Sequence, residues 1–278
     1  MTDIVVAVLL GIVQGLTEFL PVSSSAHLIL VPWIMGWDPE GIVFDVALHV
    51  GTALAVLIYF RWEWTLLIRE MILGLRMRQP LANSHRKLGW LLAVGTLPAL
   101  VLGLLFEDVV EQKLRSPLVT VGTLIFFGIV LLWAERKSRQ NRSIADLGWA
   151  DSAWIGLSQA VALVPGVSRS GITMSAAMFR DAGREAAARF SFLLSTPVIV
   201  GAGLLAALRW MSQGAMGGAQ ATAGPTWAIM AAGVLSAGAT GFLCIRYFLR
   251  YLQTRSFLPF VVYRFALALA VLLYHLRT

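Results

Sequence analysis

The amino-acid sequence predicts an all-α polytopic membrane protein in which six transmembrane helices and two re-entrant helical hairpins form an inverted-topology repeat. Composition is the first reason: of 278 residues, 58% are hydrophobic and 13% charged, and the mean hydropathy is +0.76. That leaves too little polar surface to coat a water-soluble globule of this size. The second reason is six apolar runs, at 42–60, 89–106, 117–134, 190–208, 226–245 and 257–275. Each suits the roughly 17–25 residues that a hydrocarbon layer about 30 Å thick demands. The third is a pair of broken apolar stretches, 3–35 and 152–189, that resemble each other.

The first element, about 3–35, begins apolar and is interrupted by "TEFLPVSSSAH". Pro21 ends a helix, and the serines after it expose backbone that lipid cannot satisfy unless it is buried in protein or lines a watery cavity. A hairpin that enters and leaves on one side meets that condition. Spans at 42–60, 89–106 and 117–134 follow. The second hairpin, about 152–189, holds "SQAVALVPGVSRSG" and the charge-studded "FRDAGREAAARF", and three more spans close the chain.

Placing 11–25 above 156–170 pairs Gly11 with Gly156, Gln14 with Gln159, Val22 with Val167, Ser23 with Ser168 and Ser25 with Ser170. The runs 116–133 and 258–275 likewise share a proline followed by unbroken apolar sequence. Within a single membrane domain, 1–278, the halves are then 1–135 and 150–278. Three spans after each hairpin turn the second copy upside down, an architecture that brings broken-helix tips together near the midplane.

Basic residues assign the sides. Thirteen Lys and Arg gather in 61–88, 135–151 and 246–256, which should therefore be cytoplasmic. Lys113, Arg115, Arg209 and Arg277 are sparse by comparison, so both termini are expected outside. This grouping explains the net charge of +7 as topology and argues against nucleic acid, which calls for a solvated basic stripe with aromatics. The single Cys244 excludes an intramolecular disulfide. Met1-Thr2-Asp3 lacks the basic start of a secretory signal, so the first apolar stretch is expected to stay in the mature protein. Trp62, Trp64, Trp90, Trp149 and Trp154 near span ends read as an interfacial belt.

The chemistry concentrates in the two breaks. Gln14 and Glu18 are four residues apart and share one helix face; an ionisable group at membrane depth costs about 2.5–3.5 kcal/mol on insertion scales and so points to function. Their oxygens suit a hard divalent cation, Mg²⁺ or Ca²⁺, held by one or two carboxylates with substrate phosphate. Ser23, Ser24 and Ser25 lie within a turn of His27, the minimum for an activated hydroxyl; helix capping would give the same pattern.

In "PGVSRSGIT" (165–173), Arg169 offers paired donors matched to phosphate oxygens. Ser168, Ser170 and Thr173 add hydroxyls, Gly166 and Gly171 let backbone N–H groups approach an anion, and a helix beginning near Ser170 adds favourable partial charge. The alternative is a buried ion pair of Arg169 with Glu18 or Asp151. Gln159, the repeat partner of Gln14, could donate to the same site. Asp45 and His49, four residues apart at the start of a span, either extend the site from the side or pair near the interface, with the interface favoured, and Arg264 either snorkels or faces the cavity.

Together, "QGLTEFLPVSSSAH" (14–27) and "PGVSRSGIT" resemble the signatures of the undecaprenyl-diphosphate phosphatases, the bacitracin-resistance family of bacterial inner-membrane enzymes, in the same order and across essentially the whole chain. One departure is "SSSAH", where Ser25-Ala26 replaces a glycine-containing pair. The resemblance implies hydrolysis of undecaprenyl diphosphate to the monophosphate and inorganic phosphate, with an outward-facing site. It implies that Glu18 and Gln14 manage the cation, that Arg169, Ser168, Ser170 and Thr173 hold the diphosphate, and that His27 and Ser24 serve attack or proton transfer. Ser23, Gly166 and Gln159 complete the expected substrate contacts. The expected partners are a polyprenyl diphosphate lipid and membrane lipid, and a homodimer is compatible with the sequence. A transporter or flippase of a phosphorylated lipid is the competing function, because inverted repeats and broken helices are transporter architecture.

Overall fold

The computed structural model describes residues 3–37, 42–109, 116–216 and 226–276. Among them the regular elements are helices: α1 (Asp3–Thr17), α2 (Ser24–Met35), α3 (Ile42–Tyr59), α4 (Arg61–Arg76), α5 (Ser84–Val109), α6 (Pro117–Lys137), α7 (Trp149–Val161), α8 (Arg169–Met178), α9 (Arg184–Met216), α10 (Trp227–Leu252) and α11 (Leu258–His275). Lys113, Arg115 and Arg277 lie outside the described residues.

Among these, α5, α6, α9, α10 and α11 are long and apolar enough to cross a membrane alone; α3 passes only together with α4, from which a 77° bend separates it. The stretch 61–88, read as a connection, thus contains a helix. Leu67 and Gly74 face inward from α4, and Gly89 on α5 leaves room for the Met71 side chain. Trp62, Trp149 and Trp154 are exposed, whereas Trp64 packs against the core, so the aromatic belt is narrower than the sequence suggests.

Four helices are short: α1 has 15 residues, α2 has 12, α7 has 13 and α8 has 10. At about 1.5 Å rise per residue, none matches a hydrocarbon layer of about 30 Å. They pair as α1/α2 and α7/α8 around breaks at 18–23 and 162–168. Ser23 (φ 73°, ψ 95°) caps α2 by accepting from the Ala26 N–H, and Ser168 (φ 71°, ψ 109°) caps α8 by accepting from Gly171. A positive φ in a non-glycine residue costs on the order of 1–3 kcal/mol and persists only where the surroundings over-determine it.

Each short pair packs on a long helix. Gly11 and Gly15 of α1 lie against Gly233, Ala237 and Gly241 of α10, and Gly156 of α7 lies against Gly95 of α5; a Cβ at Gly11 or Gly156 would overlap the opposite backbone. Absent side chains let these backbones meet, which is how helices gain close contact in lipid. An aromatic cluster including Phe19, Phe60, Phe190, Phe192, Phe248 and Phe257 forms the largest core. The Phe19 and Phe192 rings meet edge-on, 5.2 Å apart, and so anchor the residue beside Glu18.

The charged end is pinned by ion pairs. Asp151 accepts from Arg142 at 2.7 Å and Arg180 at 2.6 Å, not from Arg169. Glu135 binds Arg184 at 2.6 Å and the Phe257 N–H at 3.0 Å, joining α6, α9 and the start of α11.

Candidate active site

The two breaks meet at one cavity of about 280 Å³ lined by Glu18, Ser24, Ser25, His49, Gln159, Ser168 and Arg169, with an apolar wall of Val46, Ala99, Leu163, Val198, Ile199 and Ala202. That volume is near the lower end for small-molecule sites. It has room for a headgroup and not for a long chain.

Glu18 is the hub. It is 5% exposed, and its Oε1 pairs with Arg169 Nη2 across the two hairpins. Oε2 accepts from Gln14 Nε2 at 2.9 Å and from Ser24 Oγ at 2.5 Å, and His49 Nε2 stands 3.5 Å away. Both carboxylate oxygens are thus engaged by donors from three separate segments. Ser24 opens α2 and Arg169 opens α8, so two helix amino ends point their partial positive charge at the cavity.

What the site leaves unpaired is as telling. Gln14 Oε1, both amide atoms of Gln159 and Arg169 Nη1 are buried with no hydrogen-bond partner. Buried polar atoms are nearly always satisfied in native proteins, and here Gln159 and Arg169 line the cavity while Gln14 stands behind Glu18. An arginine that served only as an ion-pair cement for Glu18 would have its second amino group engaged. The set of a carboxylate, a free amide oxygen and nearby hydroxyls fits a hard cation completed by phosphate oxygens; among the described residues no cluster of three His, Cys, Asp or Glu offers an all-protein cage.

The structure separates the residues expected in the site. Glu18, Ser24, Gln159, Ser168 and Arg169 line the cavity, with Gln14 bonded to Glu18 behind it. His27 does not reach it: Nδ1 donates to the Ser23 carbonyl at 2.7 Å and Nε2 accepts from the Tyr263 hydroxyl at 2.7 Å, with the two ring planes within 8° of parallel. Ser23 is taken up as a cap and pairs with Ser25 at 3.2 Å. Ser170 donates to the Leu20 carbonyl at 3.0 Å, tying one break to the other. Thr173 is buried one turn beyond Arg169, its hydroxyl bonded to Ser191 at 2.6 Å and to the Arg169 carbonyl at 2.7 Å.

Gly166, at φ 87°, holds a bend that lies against α6, where a Cβ would overlap Thr123; its role here is close packing.

Two residues were undervalued by sequence reasoning. His49 belongs to the cavity wall, its ring oriented by Nδ1 donating to the Asp45 carbonyl at 2.8 Å. The signal was present, since Asp45 and His49 are polar residues one turn apart at the start of an apolar run. Arg264 neither snorkels nor faces the cavity: it is fully buried and bonded to backbone carbonyls.

Residues 7–270 match the family described as Bacitracin resistance protein BacA. The chain is 44% identical over 274 residues to undecaprenyl-diphosphatase 2 of Stutzerimonas stutzeri, covering 98% of this chain and 97% of that protein. It is 46% identical over 265 residues to the undecaprenyl-diphosphatase of Desulforudis audaxviator, 95% of each chain. With the undecaprenyl-diphosphatase of Thermomicrobium roseum the identity is 45% over 274 residues, 96% of each chain.

Proposed function

The chain belongs to the BacA family of bacitracin resistance proteins, and from that premise we propose that it is a hydrolase converting undecaprenyl diphosphate to undecaprenyl phosphate and inorganic phosphate. Recycling this carrier serves peptidoglycan synthesis, and the family description associates the activity with bacitracin resistance. The observation that carries the reading is the meeting of Glu18 and Arg169, from separate hairpins, beside unpaired buried donors in one cavity.

In this reading the bacterial inner membrane holds six spans and two re-entrant hairpins, with the cavity opening to the extracytoplasmic side. The shortness of α1, α2, α7 and α8 supports the hairpins. An inverted repeat is supported by the near-equal backbone angles of Ser23 and Ser168 and by the equal 3.2 Å pairs Ser23–Ser25 and Ser168–Ser170.

The diphosphate enters with its terminal phosphoryl group against Arg169, Ser168 and Gln159, while the prenyl chain leaves along the apolar wall. Gln14 and Glu18 would hold a divalent cation, which when bound neutralises charge on the phosphoryl oxygens. Arg169 swings Nη1 onto the same group, and fixed positive charge of this kind is where most of such a barrier is lowered. Ser24 attacks phosphorus as its proton passes to Glu18. The phosphoanhydride bond breaks, undecaprenyl phosphate leaves, and water then releases phosphate from Ser24. His27 holds the Ser23 carbonyl and so orients the first turn of α2, which presents Ser24.

The test is phosphate release from a polyprenyl diphosphate by the purified protein in detergent, where no gradient exists. Wild type should release phosphate and Arg169→Ala should not; a transporter would release none in either form. Phosphorylated Ser24 should be trapped under single-turnover conditions, and its absence from active enzyme would exclude the covalent step.

A further inference from the structure

Arg264 of α11 lies outside the cavity wall yet touches both breaks. Its Nε donates to the Leu124 carbonyl at 3.1 Å, Nη1 to Pro21 at 3.2 Å, and Nη2 to Gly166 at 2.9 Å and Val167 at 3.1 Å. Its hydrogen-bond partners among the described residues are all backbone carbonyls. Pro21 and Gly166 occupy corresponding places, each two residues before a serine cap held at positive φ. One guanidinium therefore bonds equivalent carbonyls of two hairpins, and α6 at the matching position has only Gly122.

Resting on the hydrolase reading above, we propose that Arg264 is the positioning residue that locks the two hairpin breaks in register and thereby sets Ser24 against Arg169. The carbonyls of a broken helix have no intrahelical partner, and hydrocarbon offers none. A planar fork with five N–H groups reaches several of them in fixed directions, whereas an ammonium offers three donors around one atom. The hairpin carbonyls it holds lie one or two residues before Ser23 and Ser168, and the residues after those caps are Ser24 and Arg169. Arg264 thus acts on the reaction through the tips, at the cost of burying a charge that no carboxylate among the described residues pairs with.

Arg264→Lys and Arg264→Met, purified in detergent, are compared with wild type and Arg169→Ala for phosphate release, thermal unfolding and hydrogen–deuterium exchange. A misplacement of the order of 1 Å costs roughly 10²-fold in rate, so kcat of Arg264→Lys should fall by about that factor while KM moves less than about threefold. Exchange should rise at 18–24 and 162–169 and stay unchanged in α3 and α10. Wild-type kcat in Arg264→Lys, or a loss lying wholly in KM, overturns the proposal. So does exchange that is unchanged at both breaks or raised evenly along the chain, a readout that remains usable in whichever variant folds. Should wild type itself release no phosphate, the hydrolase reading fails, and the exchange data alone judge the clamp.

Discussion

Arg169 carries one engaged and one unengaged amino group at the cavity, and this asymmetry makes its identity testable. A hydrogen bond to a charged group contributes about 1.5–3 kcal/mol, so Arg169→Lys, which keeps charge and loses the fork, should lower kcat/KM by roughly 10- to 150-fold. An unchanged value in steady-state phosphate release would show that charge alone suffices. Ser24 is legible in the sequence only as one of three adjacent serines. What singles it out is a 2.5 Å bond to Glu18, while Ser23 is consumed as a cap and Ser25 pairs with it. Ser24→Ala should therefore abolish turnover, and Ser25→Ala should not; equal loss in both would remove the distinction.

The hairpins depend on contacts that individual residues do not reveal. Gly156 faces the backbone of Gly95, so Gly156→Ala should force α7 from α5 and destabilise by about 1–3 kcal/mol, read as a lower unfolding temperature in detergent. At the base of the same hairpin, burial raises the Asp151 carboxyl, but hydrogen bonds from Arg142, Arg180 and the Gly148 N–H outweigh it and bring it down from 3.8 to about 2. The stabilisation from this depressed group is present above pH 3.8 and is lost as pH falls toward 2. Asp151→Asn should lower the unfolding temperature at pH 7 and flatten its decline between about pH 4 and 2; a variant that keeps the wild-type pH dependence would refute the assignment. The likeness of the stretches around Gly11 and Gly156 was legible as matched letters, but that Gly11 meets α10 and Gly156 meets α5 was not, because the sequence carries no record of which backbone lies opposite.

At the scale of the whole molecule, thirteen basic residues gathered in three connections predict which side is cytoplasmic. Cys244 is buried and its thiol points at the Leu16 carbonyl, giving a quiet background for labelling. Single cysteines at Arg78 and Arg139 should react with an impermeant maleimide only after the cytoplasmic face is opened; labelling in intact spheroplasts would invert the topology. Chelation should abolish phosphate release, with restoration by Mg²⁺ or Ca²⁺, if Gln14 and Glu18 hold a cation. Undiminished release after exhaustive chelation would leave that pair as the base and its support alone.

By itself the sequence determined the class of the molecule, the two breaks and the polar residue types that gather at them, because these follow from composition, length against membrane thickness and the chemistry of proline, serine and arginine. Only the tertiary structure decided which of those residues share a cavity. It drew His49 into the cavity wall, left His27, Thr173 and Ser23 out of it, and placed Arg264 on the carbonyls at both breaks. The physical reason is that orientation about a helix axis and the satisfaction of broken backbone are settled by packing between distant segments, which no local pattern encodes.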